Sequence, residues 1–129
     1  MPLLDADGLR DGAPLEPVAS TAPIADLLAL DAVAIAFPAF TDGRGFSLAK
    51  RLREAGYRGR LRASGELIPE QFPFALACGF DEVEISEERL ARQPVEQWLA
   101  ALDAIDVSYQ PSERVADIFA RRRAARAAA

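Results

Sequence analysis

The sequence predicts an α/β fold: a small parallel sheet built from β-α-β-α-β units with covering helices, in a single domain. Three observations carry this reading. Ala32 to Phe37 is a short apolar run holding the β-branched Val33 and Ile35, which suits a strand buried on both faces. Directly after it, Leu48, Ala49, Leu52 and Ala55 recur at helical spacing, with Lys50, Arg51, Arg53 and Glu54 on the other face. Strand and helix signals then alternate twice more, with crossovers of about twenty residues, the pattern of parallel strands joined by helices. Periodicity leaves two arrangements open, a doubly wound sheet and one curved like part of a barrel.

Residues 1–32 read as an N-terminal arm, with a hairpin and a helix that pack on the core. Asp7-Gly8 and Asp11-Gly12 are turn dipeptides, and Leu3-Leu4 with Leu15 to Val18 supply the apolar pieces of an edge hairpin. Ser20 or Thr21 caps a helix starting near Pro23, with Ile24, Leu27 and Leu28 on one side. Residues 33–110 form the core. There the helix over 47–55 stops at Gly56, the residue expected at a left-handed C-terminal cap. Arg60 to Ser64 is a second strand, ended by Gly65. A second helix begins at about Glu70, because Pro73 lacks the N–H that positions beyond the first turn must donate. It closes at Gly79, and Asp81 to Ile85 is the third strand. Residues 87–92 make a helical turn. Pro94 opens a longer helix to residue 105, with Val95, Trp98, Leu99, Leu102 and Ile105 as its stripe. Asp106 to Tyr109 is a fourth, short strand. Residues 111–129 are an Ala/Arg-rich helix or tail whose Val115, Ile118 and Phe119 share a side, expected to be covered by the chain's own domain or by another chain, as in a homo-oligomer.

Composition removes several kinds of chemistry. The 129 residues include no histidine, which excludes His-based triads and His zinc sites, so no metal site is expected. Cys78 is the only cysteine, and a buried inert thiol is its ordinary fate. Lys50 is the only lysine and has no phosphate-loop glycines ahead of it. No cofactor motif is present. Residues 1–111 hold 10 basic and 18 acidic side chains, a net of −8, whereas residues 112–129 carry 5 arginines and 2 acids. An acidic body of this kind does not suit nucleic-acid binding, which depends on neutralising phosphates. No apolar run approaches the ~18 residues of a membrane helix. The N-terminus shows no signal-peptide pattern, so the expected place is the cytoplasm.

The candidate site is the turn after the first strand. Ligands of parallel α/β folds gather at strand C-terminal ends, which here supply Thr41 to Gly45, Arg62 to Glu66, and Ser86 to Arg89. Gly43 and Gly45 permit positive φ and close approach to the backbone. The helix starting at Ser47 offers unpaired N–H groups to an anion. Arg44 and Arg62 add charge from two neighbouring strand ends. Asp42, Gly43, Arg44, Gly45, Ser47, Arg62 and Ser64 are therefore the candidate residues for a small oxyanion, with Asp42 and Glu66 as candidate acid/base groups. The plainer reading is that Asp42 and Ser47 cap the helix and that the arginines pair with Asp42 and Glu66 to tie the loops together.

A resemblance to a known family rests on blocks spread over residues 33–110. They are Phe40-Thr41-Asp42-Gly43-Arg44-Gly45-Phe46-Ser47, Leu52-Arg53, Gly56-Tyr57-Arg58-Gly59, Leu61-Arg62-Ala63, Gln71, Cys78-Gly79-Phe80-Asp81 and Ser108-Tyr109-Gln110. In order and spacing they resemble the bacterial domain-of-unknown-function 934 family, commonly labelled an oxidoreductase. Members are encoded beside haem sulfite reductase and phosphoadenylyl-sulfate reductase. The resemblance therefore implies an accessory role in assimilatory sulfite reduction, with sulfite reductase or another sulfur-assimilation protein as partner. The alternatives are an enzyme acting directly on a small anionic substrate, and a purely structural interaction subunit.

Overall fold

The computed structural model describes residues 1–103 of the chain. The expected strand over 106–109, the end of the helix expected to reach residue 105, and the C-terminal helix with its oligomer face lie outside the described residues. Strands β1 (Pro2–Asp5), β2 (Gly8–Asp11) and β3 (Pro17–Val18) precede a one-turn helix α1 (Ile24–Leu27). The core then runs β4 (Ala32–Phe37), α2 (Arg44–Glu54), β5 (Arg60–Gly65), α3 (Phe72–Cys78) and β6 (Glu82–Glu84), followed by α4 (Glu87–Arg92) and α5 (Val95–Asp103). No helix among the described residues is long and apolar enough to cross a membrane.

The sheet has six strands in the order β2-β1-β6-β5-β4-β3. From β3 to β6 the pairing is parallel and follows chain order, with Val33 opposite Leu61 and Ala63 opposite Val83. Successive crossovers of one hand that always step the same way leave their helices on one side of the sheet. The core shows this. Val33, Ile35, Phe37, Leu61, Ala63, Val83 and Leu4 form one cluster with Leu27, Phe46, Leu52, Leu76 and Trp98 of the helices. The sheet is thus open and singly wound, with the coverage of a barrel segment.

The N-terminal arm is built differently from its expectation. Leu3-Leu4 does form a hairpin, but with Gly8–Asp11 and not with Leu15 to Val18. That hairpin adds to β6 antiparallel, with Leu4 opposite Val83. Pro17–Val18 instead extends the other edge, parallel to β4. The sheet is therefore mixed, although mostly parallel.

Alternation divides every strand between two environments. While the odd positions of β4 and β5 meet the helices, Arg60, Arg62 and Ser64 lie on the opposite face beside Glu82 and Glu84. Glu82 is 1% exposed and accepts hydrogen bonds from Arg10 Nη2 at 3.0 Å, from Arg62 Nε at 3.2 Å and from Arg60 Nε. Arg62 Nη1 donates to the carbonyl of Ala13 at 2.8 Å, which brings the 12–16 segment across this face. Buried charges persist only when paired in this way.

Two helix starts differ from expectation in informative ways. α2 begins at Arg44, three residues before the expected Ser47. Before α3, Pro69–Gln71 makes a turn of 3₁₀ helix, and Gln71 Oε1 accepts from Ile68 N at 3.1 Å. Pro73 then falls in the first turn of α3, where its missing N–H costs nothing. At the far end, Trp98 is fully buried against Phe72 with ring centroids 6.1 Å apart, and its Nε1 donates to the Gln93 carbonyl at 3.1 Å.

Candidate functional site

The loop from β4 into α2 is held by its own residues. Asp42 Oδ1 accepts from the backbone N–H of Arg44 at 3.1 Å and from Arg44 Nε at 3.0 Å, while Oδ2 accepts from Arg44 Nη2 at 2.8 Å. Hydrogen bonds from the Arg44 side chain, then from its backbone N–H, hold the Asp42 carboxyl down at about 2. The Asp42 carboxylate raises the Arg44 pKa in return. A carboxylate of the chain thus already stands at the N-terminus of α2, where the expected anion was to bind.

The glycines have other reasons than those expected. Gly43 lies at φ −88°, and Gly45 is not in the left-handed region either. Gly45 is required by space: a Cβ there would come within 2.5 Å of the Phe37 ring. Phe37 in turn packs on Phe46, with centroids 4.8 Å apart, and on Phe80 at 5.7 Å. At the neighbouring strand end it is Gly65 that has positive φ, at 128°, and a Cβ there would meet the Phe37 carbonyl at 2.2 Å. That carbonyl accepts from Glu66 N at 2.8 Å, which binds the ends of β4 and β5 together.

The predicted set is not assembled in one place. Asp42, Gly43, Arg44, Gly45 and Ser47 sit together at the start of α2, with Ser47 exposed. Arg62 was expected at the strand end beside them. It is the third residue of β5, paired across the strands with Ala34 and Glu82, and buried on the face opposite the helices. Its partner is Glu82, not Glu66. Ser64 is on that same face and donates to Glu84 Oε2 at 2.6 Å. Glu66 pairs with Arg89. The two-arginine clamp therefore does not form within this chain.

Ser64 and Glu66 do border a cleft of about 380 Å³ at the C-terminal ends of β5 and β6, with Glu84, Ser86 and Glu87 in its wall. Its carboxylates disfavour an oxyanion by like-charge repulsion. No group of three or more His, Cys, Asp or Glu among the described residues could hold a metal ion. Cys78 is buried, and loss of water pushes its thiol pKa up, with the Lys50 charge opposing weakly.

One feature of the site carried no sequence signal. Of the six phenylalanines in the described residues, Phe37, Phe46, Phe72 and Phe80 are buried, but Phe40 and Phe74 are 49% and 52% exposed. Phe74 stacks edge-on against Phe46 at 4.9 Å, and the Phe40 carbonyl accepts from Gln71 Nε2 at 2.7 Å, one turn ahead of Phe74. Only solvent exposure sets these two apart from core residues, and that is a property of the packed helices.

The model of a family described as "Bacterial protein of unknown function (DUF934)" matches residues 13–118 of the chain. No curated protein and no solved structure matches it.

Proposed function

The chain belongs to the DUF934 family, and from that premise we propose that it serves assimilatory sulfite reduction as an accessory protein that binds sulfite reductase or another protein of the same process. The sulfur-reduction part of this reading comes from the resemblance to a family encoded beside haem sulfite reductase. The mode of action comes from the loop over residues 40–47. One observation carries it: the groups suited to chemistry are occupied there, while an aromatic side chain stands out to solvent.

Asp42 and Glu66 were the acid/base candidates. Held at about 2, Asp42 is ionised throughout the physiological range and is a poor proton acceptor or donor at neutral pH. Glu66 is committed to Arg89. Gly45 and Phe46 are explained by packing on Phe37. Phe40 is left with half its surface exposed. Aromatic side chains, Phe among them, are enriched at protein–protein interfaces relative to the rest of the surface.

The test uses the full chain and purified haem sulfite reductase from the same cells. The chain alone is expected to be silent toward sulfite with reduced electron donors, and to bind the reductase or alter its turnover when the two are mixed. Sulfite turnover by the isolated chain would replace this reading with direct catalysis. Absence of any effect on binding or turnover of sulfur-reduction enzymes would remove it.

A further inference from the structure

The exposed aromatics continue into a charged surface. Residues 43–62 carry seven basic side chains and one acid, Glu54, in a chain whose net charge is −5. Arg44, Arg53, Arg60 and Arg62 are held by Asp42, Asp81 and Glu82. Lys50, Arg51 and Arg58 are exposed and form no ion pair among the described residues. Lys50 follows Phe46 by four residues, so the two share one side of α2. Across the α2–α3 seam Phe74 stacks edge-on against that same Phe46, with ring centroids 4.9 Å apart. Lys50 therefore borders the seam that Phe74 overhangs.

We infer that this seam, with Phe46 as its floor and Phe74 at its rim, docks an acidic segment of a partner protein that carries an aromatic or bulky aliphatic side chain. The inference rests on the reading that the chain acts by binding another protein, and it names the chemistry of the partner. The apolar side chain of the partner inserts beside Phe74, gaining an edge-to-face contact and removing a half-exposed ring from water. Its carboxylates meet Lys50. Charge complementarity selects the partner: the exposed cations Lys50, Arg51 and Arg58 lie within one stretch of an otherwise acidic 1–111 segment, and they favour an acidic over a basic one.

The full chain, ¹⁵N-labelled, is titrated with a blocked peptide Asp-Glu-Phe-Glu-Asp, with Lys-Lys-Phe-Lys-Lys and Asp-Glu-Ala-Glu-Asp as controls. Shifts are expected around Phe46, Lys50 and Phe74 for the first peptide only, shrinking as salt is added. Phe74→Ala and Lys50→Glu should each weaken binding ~10-fold; Lys50→Glu should leave the melting temperature almost unchanged, whereas Phe74→Ala should lower it modestly through the lost contact with Phe46. No binding of the acidic peptide, equal binding of the basic one, or unchanged affinity in both variants overturns the surface. So does a concentration-dependent dimer that Phe74→Ala dissolves, which would place a second copy there. The same variants are then assayed against sulfite reductase. Reductase binding that survives both substitutions overturns the surface and leaves the accessory role standing. Peptide binding without reductase binding does the reverse.

Discussion

Glu82 and Asp42 each hold arginine, and the sequence offers their arginines, Arg62 and Arg44, as equal partners for one ligand. Glu82 is 1% exposed and collects Arg10, Arg60 and Arg62 from three points of the chain. Asp42 holds a single arginine two residues away, whose side chain is 69% exposed. The first group joins β2, β5 and β6 across the polar face of the sheet. The second only shapes the entry to one helix. Burial, more than partner count, separates them: charges taken out of water must be paired, whereas an exposed pair is screened and contributes little. An arginine drawn into such a buried group is no longer a candidate ligand. This is why Arg62 fails as a partner for Arg44.

The largest expected effect is at Glu82. Glu82→Ala leaves the buried Arg62 with only Glu84, 3.9 Å from its Nη1, so the loss should approach the lower end of the range, about 3–5 kcal/mol, that removing one partner of a buried pair costs. Arg10 and Arg60 are more exposed and recover water. Urea unfolding should show the midpoint falling with an unchanged slope. The double variant Glu82→Leu with Arg62→Met should regain part of the loss, because an apolar pair of similar volume has no charge to desolvate. If Glu82→Ala costs no more than an exposed substitution, the polar face is open to water and the contrast with Asp42 collapses.

A smaller effect is expected at Gly45, which lies in the candidate site but serves the core. Gly45→Ala places a methyl group within 2.5 Å of the Phe37 ring, which is fully buried between Phe46 and Phe80. Such overpacking costs about 1–3 kcal/mol. Gly43→Ala meets only the Phe46 ring at 4.0 Å and should be nearly neutral. Equal stability of the two variants would show that Phe37 moves freely. A loss of partner binding at Gly43 alone would show that the backbone there is approached from outside.

Much of the fold was legible because it is local. The apolar run of β4 and the amphipathic α2 need only neighbours in sequence, and both formed. So did the parallel order of β4, β5 and β6. The edge to which β1 would add was not legible, since Leu3-Leu4 carries no mark of its partner, Val83. The position of Arg62 was legible and was overlooked. Arg60-Leu61-Arg62-Ala63-Ser64 and Glu82-Val83-Glu84 alternate with period two, the pattern of strands with one face on the core and one polar face. Read that way, they place Arg62 across from Glu82 and away from the strand end. The reason for Gly45 was hidden for a different cause: it is the ring of Phe37, eight residues earlier, and not a backbone angle, that forbids a side chain.

The smallest effect is the titration of Asp42, and it isolates the exposed pair from everything else. The carboxyl has an ordinary value of 3.8 and is held at about 2 in the folded chain by Arg44. A folded-state pKa below the unfolded one means that the unfolded chain takes up the proton first. The contribution of Asp42 is therefore fully present above the unfolded value and disappears as pH falls toward about 2. Asp42→Asn, which keeps one oxygen for the Arg44 N–H but has no charge to lose, should remove this component. Its stability should lie slightly below wild type at pH 7, and the two curves should converge between the unfolded and folded values. Added salt should shrink the difference at pH 7, because Arg44 is in water. An offset that stays constant through the acid range would mean that only the hydrogen bond to the backbone matters. Asp42 would then be a simple turn residue, and Arg44 would be available to whatever the loop meets.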